Sequence, residues 1–441
     1  MKTSFYFILL IGTVITFNQT FSQKVITFDD AIKIALNSNT NIVKSTNSIA
    51  SFESGVKSAY GNLLPNLNIN GGFGWQRVSD DGGKTQIDFF GNPQTLGPSQ
   101  IDSRNWSVSG GGNVTLFNGL ANIASINQSK ANLESAKLSL EKLKQDVVLQ
   151  TITYYTQMIS YQKLLHFQEE NLKYNEGLLD QIKQKYDLKM VTISDVYSQE
   201  AQTANSRVSY LQAKNNLETS KISLLNYLSL DVSQSYQFDS VATVKSDSVI
   251  VNNDIQSLYE YALNNRNDYK SIFYQLESAD NQLTIARSGM FPTLSANYGF
   301  STSAIQPSDL FNRRVYSLGL SLNIPIFSNW NTENAIQYAN VQQKNSNEDL
   351  KALELNIKSQ VATANLKLQT AKQQQNASDI ALTASKESWM IATEKYKLGA
   401  ATYLDLQLAY NNYLQAQYNK INNDYNYLTA YYSLLNAIGK Y

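Results

Sequence analysis

The 441-residue sequence contains no cysteine. That excludes disulfides, thiolate catalysis, thiolate metal sites and a lipid carried on an N-terminal cysteine. It has a single histidine, His166, set between Leu165 and Phe167, where it reads as a packing residue rather than a base. Asp29-Asp30 is a carboxylate pair, but it sits in a helix cap. No phosphate loop and no metal-ligand cluster occurs, so no catalytic residue, cofactor or metal is expected, and the chain is not read as an enzyme. Charge of one sign is missing too: 36 basic side chains face 36 acidic ones, a balance that argues against a nucleic-acid partner. Past the first residues there is no apolar run of eighteen or more, so no membrane-spanning helix is expected.

The first residues read as an export signal over 1–22: Lys2, an apolar run from Phe5 to Phe17, and a cleavage site near Phe21-Ser22-Gln23. The remaining chain is then secreted, periplasmic, or held in an outer membrane by strands. Hydrophobic residues make up 42% of the chain, much of it Ala and Tyr, which suits long helices with narrow seams better than a large core.

Proline is scarce. The six prolines fall in two windows, Pro65, Pro93 and Pro98, then Pro292, Pro307 and Pro325. Proline removes a donor and clashes with the preceding helical turn, so the windows are the non-helical parts. Inside them the pattern has period two. Leu67, Ile69, Phe73 and Trp75 alternate with Asn68, Asn70, Gly72 and Gln76, and Leu294, Ala296, Tyr298 and Phe300 alternate with Ser295, Asn297, Gly299 and Ser301. The tracts around Trp106–Leu116 and Tyr316–Ile324 behave alike. Four strands result, at about 66–78, 105–117, 293–303 and 315–326, apolar on one face and small or polar on the other. A water-soluble sandwich shows the same alternation. The export signal and the aromatics favour strands crossing a bilayer, with lipid outside and water inside.

The long tracts between the windows read as helix, at about 41–63, 119–187, 192–228, 267–290, 329–398 and 402–437. Leu350, Leu353, Ile357, Val361, Ala364, Leu368 and Ala371 step by three or four, the spacing of a coiled-coil seam. The longest tracts reach on the order of 100 Å at the helical rise. Residues 231–253 carry Ser, Asp and Val without a seam and read as a small belt segment. Thr27-Phe-Asp-Asp30 resembles a capping box opening a short helix in the same belt.

The chain is a tandem duplication. Leu64-Pro-Asn-Leu67 aligns with Phe291-Pro-Thr-Leu294 at an offset of 227 (291 − 64). Beyond a single change of register, Lys185-Tyr-Asp-Leu188 aligns with Lys395-Tyr-Lys-Leu398 at 210 (395 − 185), and that offset holds almost to the C-terminus. The first copy, 23–250, therefore carries an insertion of about seventeen residues between positions 74 and 113 that the second, 251–441, lacks. Four strands cannot close a barrel, and an open edge in a bilayer leaves backbone groups unpaired. Two, three or four copies would give eight, twelve or sixteen strands. An eight-stranded barrel is filled by its own side chains, so an open duct favours at least three copies; three and four both remain open.

These features resemble the TolC-like outer membrane efflux proteins, also called outer membrane factors. The resemblance covers nearly the whole chain after the signal. It rests on the duplication, on Phe28-Asp-Asp-Ala-Ile-Lys-Ile-Ala-Leu-Asn-Ser-Asn39, on the two x-Pro-x-Leu strand starts, on Ile324-Pro-Ile-Phe327, and most specifically on Lys395-Tyr-Lys-Leu-Gly-Ala-Ala-Thr-Tyr-Leu-Asp-Leu406. It implies a homotrimer in the outer membrane, mainly helical, with a 12-stranded β-barrel and a coiled-coil periplasmic α-barrel. It also implies docking to a periplasmic adaptor and an inner-membrane pump, for efflux or type I secretion. By the same resemblance, Leu188, Lys189, Thr192, Leu398, Gly399 and Thr402 are adaptor-contact tips, and Tyr396, Asp405 and Asp195 form the pore constriction. Lys189 departs from the glycine the family places at the first turn, Ala401 from a link-forming arginine, and Leu408 from a second ring aspartate. From the residues themselves, Asp195 and Asp405 read equally as caps of the returning helices. A structural or adhesive coiled-coil protein of the envelope is the alternative reading; it leaves the four strands unexplained. The cargo is not written in this chain, because drug, metal and protein export share the architecture.

Overall fold

A computed structural model describes residues 24–239 and 254–440. The expected signal peptide and residues 240–253 of the expected belt lie outside them. In chain order the elements are β1 (Lys24–Ile26), α1 (Phe28–Ser38), α2 (Thr40–Gly61), β2 (Asn68–Asp80), β3 (Thr85–Ile87), β4 (Pro93–Thr95), β5 (Ser99–Asn118), α3 (Ala121–Asp187), α4 (Ile193–Tyr227) and β6 (Tyr236–Phe238). Then follow α5 (Ile255–Asn265), α6 (Asn267–Ser288), β7 (Thr293–Ala304), β8 (Val315–Asn323), α7 (Asn331–Lys397) and α8 (Tyr403–Ala437). Among the described residues no helix is long and apolar enough to cross a membrane.

The described residues form two compact units, one of 40–147, 254–370 and 430–440, the other of 24–39, 148–239 and 371–429. The first holds an antiparallel sheet in the order β2-β5-β7-β8. Pro65 and Pro292 stand just before β2 and β7, and Pro325 just after β8, where a missing backbone donor costs the ladder nothing. Directly opposed residues share a face. The pairs Phe73–Trp106, Tyr298–Leu318, Ala296–Leu320 and Leu294–Leu322 build one apolar face. Ser, Asn, Gly and Gln fill most of the other. The eleven steps of β7 from Thr293 to Ala304 span about 36 Å of strand. At the usual tilt of barrel strands that is about 28 Å, close to the height of an apolar membrane band.

β5 is 20 residues long and β2 is 13, so the first hairpin outgrows the second. The insertion of the first copy forms this extension and the small β3–β4 hairpin, with Phe89 and Phe90 exposed in its turn. The extension of β5 before position 105 escapes the period-two pattern because Gln100, Asp102 and Arg104 interrupt it.

The duplication is also written in the backbone. Outside the insertion, every left-handed residue among those described comes in pairs: Gly119 with Asn329, Leu120 with Trp330, Lys189 with Gly399, and Ser229 with Gly439. Each pair is separated by 210, as in 329 − 119. The first two pairs turn sheet into helix, the third turns α3 into α4 and α7 into α8, and the fourth closes α4 and α8.

On α7, Ile357 and Val361 are fully buried, and Ala364, Leu368 and Ala371 nearly so, while Leu350 and Leu353 are half-buried. A second apolar line on the same helix is bare: Leu355, Leu366, Ile380 and Ile391 are all exposed. Their spacings of 11, 14 and 11 keep them within about 20° of one line at 100° per residue.

In the second unit, β1 and β6 pair in parallel and Tyr155 locks them. Its buried hydroxyl donates to Ile26 O at 3.1 Å and to Asp239 O at 2.7 Å, and its ring packs edge-on against Phe28 and Phe238. Burial, with the Asp239 charge behind it, pushes that phenol up to about 12. Thr27 and Asp30 make the capping box at the start of α1. His166 corrects its reading as a packing residue. Its side chain is 74% exposed and lies 3.4 Å from Glu170, one turn away on the exposed face of α3.

Candidate functional site

Lys185 to Asp195 and Lys395 to Asp405 build the same turn twice. In the first, Met190 N donates to Lys185 O at 2.8 Å and Lys189 N to Tyr186 O at 2.8 Å. In the second, Ala400 N donates to Lys395 O at 2.8 Å and Gly399 N to Tyr396 O at 3.2 Å. This is a Schellman closure, and it needs a left-handed residue at the turn. Gly399 fills that place freely (φ 74°), whereas Lys189 is forced into it (φ 61°). Leu188 and Leu398, just before it, are 71% and 82% exposed.

Each chain then re-enters helix through a capping box. Thr192 N and Oγ1 both donate to Asp195 Oδ2 at 2.9 Å, and Asp195 N donates back to Thr192 Oγ1 at 3.3 Å. Thr402 and Asp405 repeat this at 2.9, 2.7 and 3.2 Å. The Thr402 hydroxyl, then its backbone N–H, hold the Asp405 carboxyl below the usual carboxylate range. Asp405 is therefore anionic at neutral pH and serves as a cap. Its carboxylate also lines a groove with Lys395, Ala401, Leu408 and Asn412.

Tyr396 is brought close to Asp195 rather than to Asp405. Burial raises the Tyr396 phenol, and the Asp195 charge raises it further. Lys185 Nζ sits over its ring, 4.2 Å from the centroid. The Tyr396 hydroxyl is buried and has no hydrogen-bond partner among the described residues.

Behind the turns lies a polar core that seam spacing alone does not reveal. Asn175 Nδ2 donates to Asn171 Oδ1 at 2.8 Å and to Ser206 Oγ at 3.0 Å. Gln199 Nε2 donates to Asn175 O at 3.0 Å, and Thr203 Oγ1 to the same oxygen at 3.2 Å. All five side chains are buried. α8 joins them through two tyrosines: Tyr403 donates to Gln199 Oε1 at 2.5 Å and Tyr410 to Asn171 Oδ1 at 2.9 Å. Trp389 stacks on Tyr413 at 4.9 Å, and Tyr174 packs at a tilt against Tyr410 at 4.2 Å, closing the aromatic side. Burial pushes the Tyr403 phenol up to about 12 and raises Tyr410 as well. Asn171, Asn175, Gln199, Thr203 and Ser206 stand where a seam expects apolar residues, and that conflict was the available signal. Among the described residues no group of three or more His, Cys, Asp or Glu is placed to hold a metal.

Comparison with known proteins gives a consistent result. Residues 31–229 and 258–440 each match the family described as outer membrane efflux protein. The outer membrane protein TolC of Vibrio cholerae is 20% identical over 400 residues, which cover 88% of this chain and 85% of the relative. The outer membrane efflux protein BepC of Brucella suis is 19% identical over 329 residues, 74% of this chain and 71% of the relative. Among solved structures, CusC superposes with a TM-score of 0.80 at 18% identity, covering 93% of this chain and 92% of its own. The outer membrane protein VceC of Vibrio cholerae gives 0.78 at 16%, covering 93% and 96%.

Proposed function

Because the chain belongs to the outer membrane efflux protein family, we propose that it is the exit duct of a tripartite efflux or type I secretion system. It resides in the outer membrane, and its family is one of channels rather than enzymes. In this reading three copies close a 12-stranded barrel, the helices line a periplasmic tunnel, and docking to an adaptor and an inner-membrane pump opens the passage. The duct itself is passive. Residues 1–22 are removed on export, and 23–250 and 251–441 are the two structural repeats, with the belt at 231–253.

One observation carries the reading. The sheet β2-β5-β7-β8 has two unpaired edges, an exposed apolar face and a small polar face. A four-stranded sheet of this kind satisfies its backbone in a bilayer only by pairing β8 of one copy with β2 of the next. The strand directions make that new pair antiparallel, as every other pair in the sheet is. The bare line Leu355–Ile391 on α7 supports the same association along the helices. An adhesive coiled coil accounts for that line but not for the sheet.

At the tunnel end, Tyr396, Asp195 and Asp405 form the constriction, and Leu188, Lys189, Thr192, Leu398, Gly399 and Thr402 make the adaptor-contact tips. The exposure of Leu188 and Leu398 supports the tips, and the unpartnered Tyr396 hydroxyl supports a link completed by a neighbouring copy.

The absence of cysteine makes the test direct. Single cysteines placed along β2 (Asn68–Asp80), each combined with Ser317→Cys, should give disulfide-linked ladders ending at three copies. The same preparation should conduct in planar bilayers. A folded oligomer that neither cross-links through these edges nor conducts would sink the duct.

A further inference from the structure

Arginine and lysine are distributed unequally in this chain. It has seven arginines and 29 lysines. Four of the arginines, Arg77, Arg104, Arg313 and Arg314, fall within residues 62–120 and 289–330, the strand-bearing segments, where Lys84 is the only lysine. Everywhere else lysine outnumbers arginine by 28 (29 − 1) to 3 (7 − 4). Glutamate is absent from both strand segments. A general need for positive charge would not choose between the two cations. Arginine differs in its planar fork of donors, which matches phosphate oxygens in pairs, and in its weaker hydration.

The register places these arginines together. Phe73 opposes Trp106, Trp75 opposes Arg104, and Arg77 opposes Asp102. All six therefore share the apolar face, with the charges at the end of the sheet remote from the helices. On the same face, in the second hairpin, Phe300 opposes Tyr316, and Arg314 stands two residues beyond Tyr316 toward the same end. The aromatics form a belt: Phe73 and Trp106 pack at 4.5 Å, Phe300 and Tyr316 at 5.4 Å. The arginines stand just above it.

Their partners differ. Arg77 is neutralised by Asp102 through two bonds of 2.7 and 2.8 Å, with its guanidinium 5.5 Å from the Trp75 ring centroid. Arg104 is exposed and makes no hydrogen bond or ion pair among the described residues. Arg314 is exposed and uses only Nε, on Phe311 O at 3.0 Å. The collar thus keeps two guanidinium forks unpaired by carboxylates, one on β5 and one at the start of β8, over an aromatic belt. At an outer-membrane surface an aromatic belt marks the boundary between acyl chains and headgroups.

We propose that Arg104 and Arg314 are a docking surface for a phosphorylated lipid of the outward-facing leaflet, held by phosphate above the Phe73–Trp106–Tyr316 belt. This rests on the reading of the sheet as part of a membrane barrel. The lipid gives each fork a paired phosphate contact while its chains cover the apolar face below. Asp102 gives both oxygens to Arg77, so Arg104, although it feels the Asp102 charge, keeps its donors for the ligand.

The test uses the purified oligomer in mild detergent, offered phosphatidic acid or zwitterionic phosphatidylcholine, with retained lipid counted by native mass spectrometry. Phosphatidic acid should be retained over phosphatidylcholine by about tenfold. The pair Arg104→Gln and Arg314→Gln should abolish the preference. The pair Arg104→Lys and Arg314→Lys, which keeps the charge, should lose most of it, because an ammonium makes a point contact rather than a fork. Lys84→Gln, at a lysine already paired with Asp80, should leave the preference intact. Equal retention of both lipids by the wild type, or an unchanged preference in the Gln pair, overturns the proposal. So does displacement of the lipid by millimolar inorganic phosphate, which would mean that the forks bind free phosphate. Conductance of the same preparations separates the two readings: a wild type that selects phosphatidic acid but never conducts faults the duct and spares the collar.

Discussion

Tyr403 and Gln199 tie the returning helices of the two repeats together: the phenol donates to Gln199 Oε1 at 2.5 Å, while Gln199 Nε2 reaches back to Asn175 O at 3.0 Å. One buried amide thus bridges α8, α4 and α3. Gln199 is 1% exposed, so no solvent replaces a lost partner. Tyr403→Phe leaves its carbonyl unsatisfied and should cost about 1–3 kcal/mol. Tyr403→Phe combined with Gln199→Leu removes both partners and should cost less than the sum of the single changes. If the turns are the closed end of a duct, Tyr403→Phe should also raise the open fraction in single-channel records. Strict additivity in thermal unfolding would contradict the coupling.

Lys189 and Gly399 occupy equivalent left-handed places with unequal comfort. A side chain there costs on the order of 1 kcal/mol. Lys189→Gly should tighten the first turn, and Gly399→Ala should loosen the second by a similar amount. Hydrogen exchange reads this locally: the Ala400 amide should lose protection by about fivefold in Gly399→Ala, and Met190 should gain a smaller factor in Lys189→Gly. Equal protection in both variants would mean that the turns are held by something other than their backbone closure.

Asp405 is a helix cap, and the proposed function places it in the constriction as well. Its folded carboxyl lies below the ordinary range, so its contribution to stability is present above the unfolded pKa and is lost as pH falls through the folded one. Block of the open duct by a trivalent cation should therefore persist down to pH values under the usual carboxylate range. Asp405→Ala should weaken the block at neutral pH. Asp405→Asn should weaken it equally while keeping more of the cap. A block indifferent to both changes would leave Asp405 as a cap alone.

Much of this architecture is legible in the sequence, for identifiable reasons. Proline cannot sit inside long helices, so Pro65 and Pro292 mark where the sheet segments open. Alternation across a half-exposed sheet is periodic by geometry, and duplication doubles each weak signal. The parts that stayed hidden depend on distant partners. The β1–β6 pair joins two three-residue segments more than 200 positions apart and has no local signature. Asn171, Asn175 and Gln199 look like solvated residues until α8 is placed over them. His166 sits beside Phe167 in sequence, but the 100° helical step carries it from the buried face to the exposed one. At the turns, the reading of Asp195 and Asp405 as caps was available because a Thr-x-x-Asp box is local, whereas the pairing of Tyr396 with Lys185 crosses between repeats.

Arg266 gives the largest stability effect and had no sequence signal, being one cation between two short helices. It is 3% exposed. It binds Asp268 at 3.0 and 2.6 Å, Gln360 Oε1 at 2.8 Å and Ala437 O at 3.0 Å, closing the end of α8. Burial pushes the Asp268 carboxyl up, but the Arg266 bonds and charge override it and hold the group low. Arg266→Ala strands a half-buried carboxylate and a helix-end carbonyl, and should cost about 3–5 kcal/mol. The pH dependence should weaken. In the wild type the unfolded Asp268 binds protons more readily than the folded one, so its contribution to stability rises with pH through the acid range. Without Arg266 only the Lys142 charge and the Tyr269 N–H still oppose burial, so the folded carboxyl binds protons more nearly as the unfolded one does and that contribution flattens. Unfolding midpoints of wild type and Arg266→Ala between about pH 3 and pH 6 measure this; parallel curves would show that the ion pair does not control Asp268.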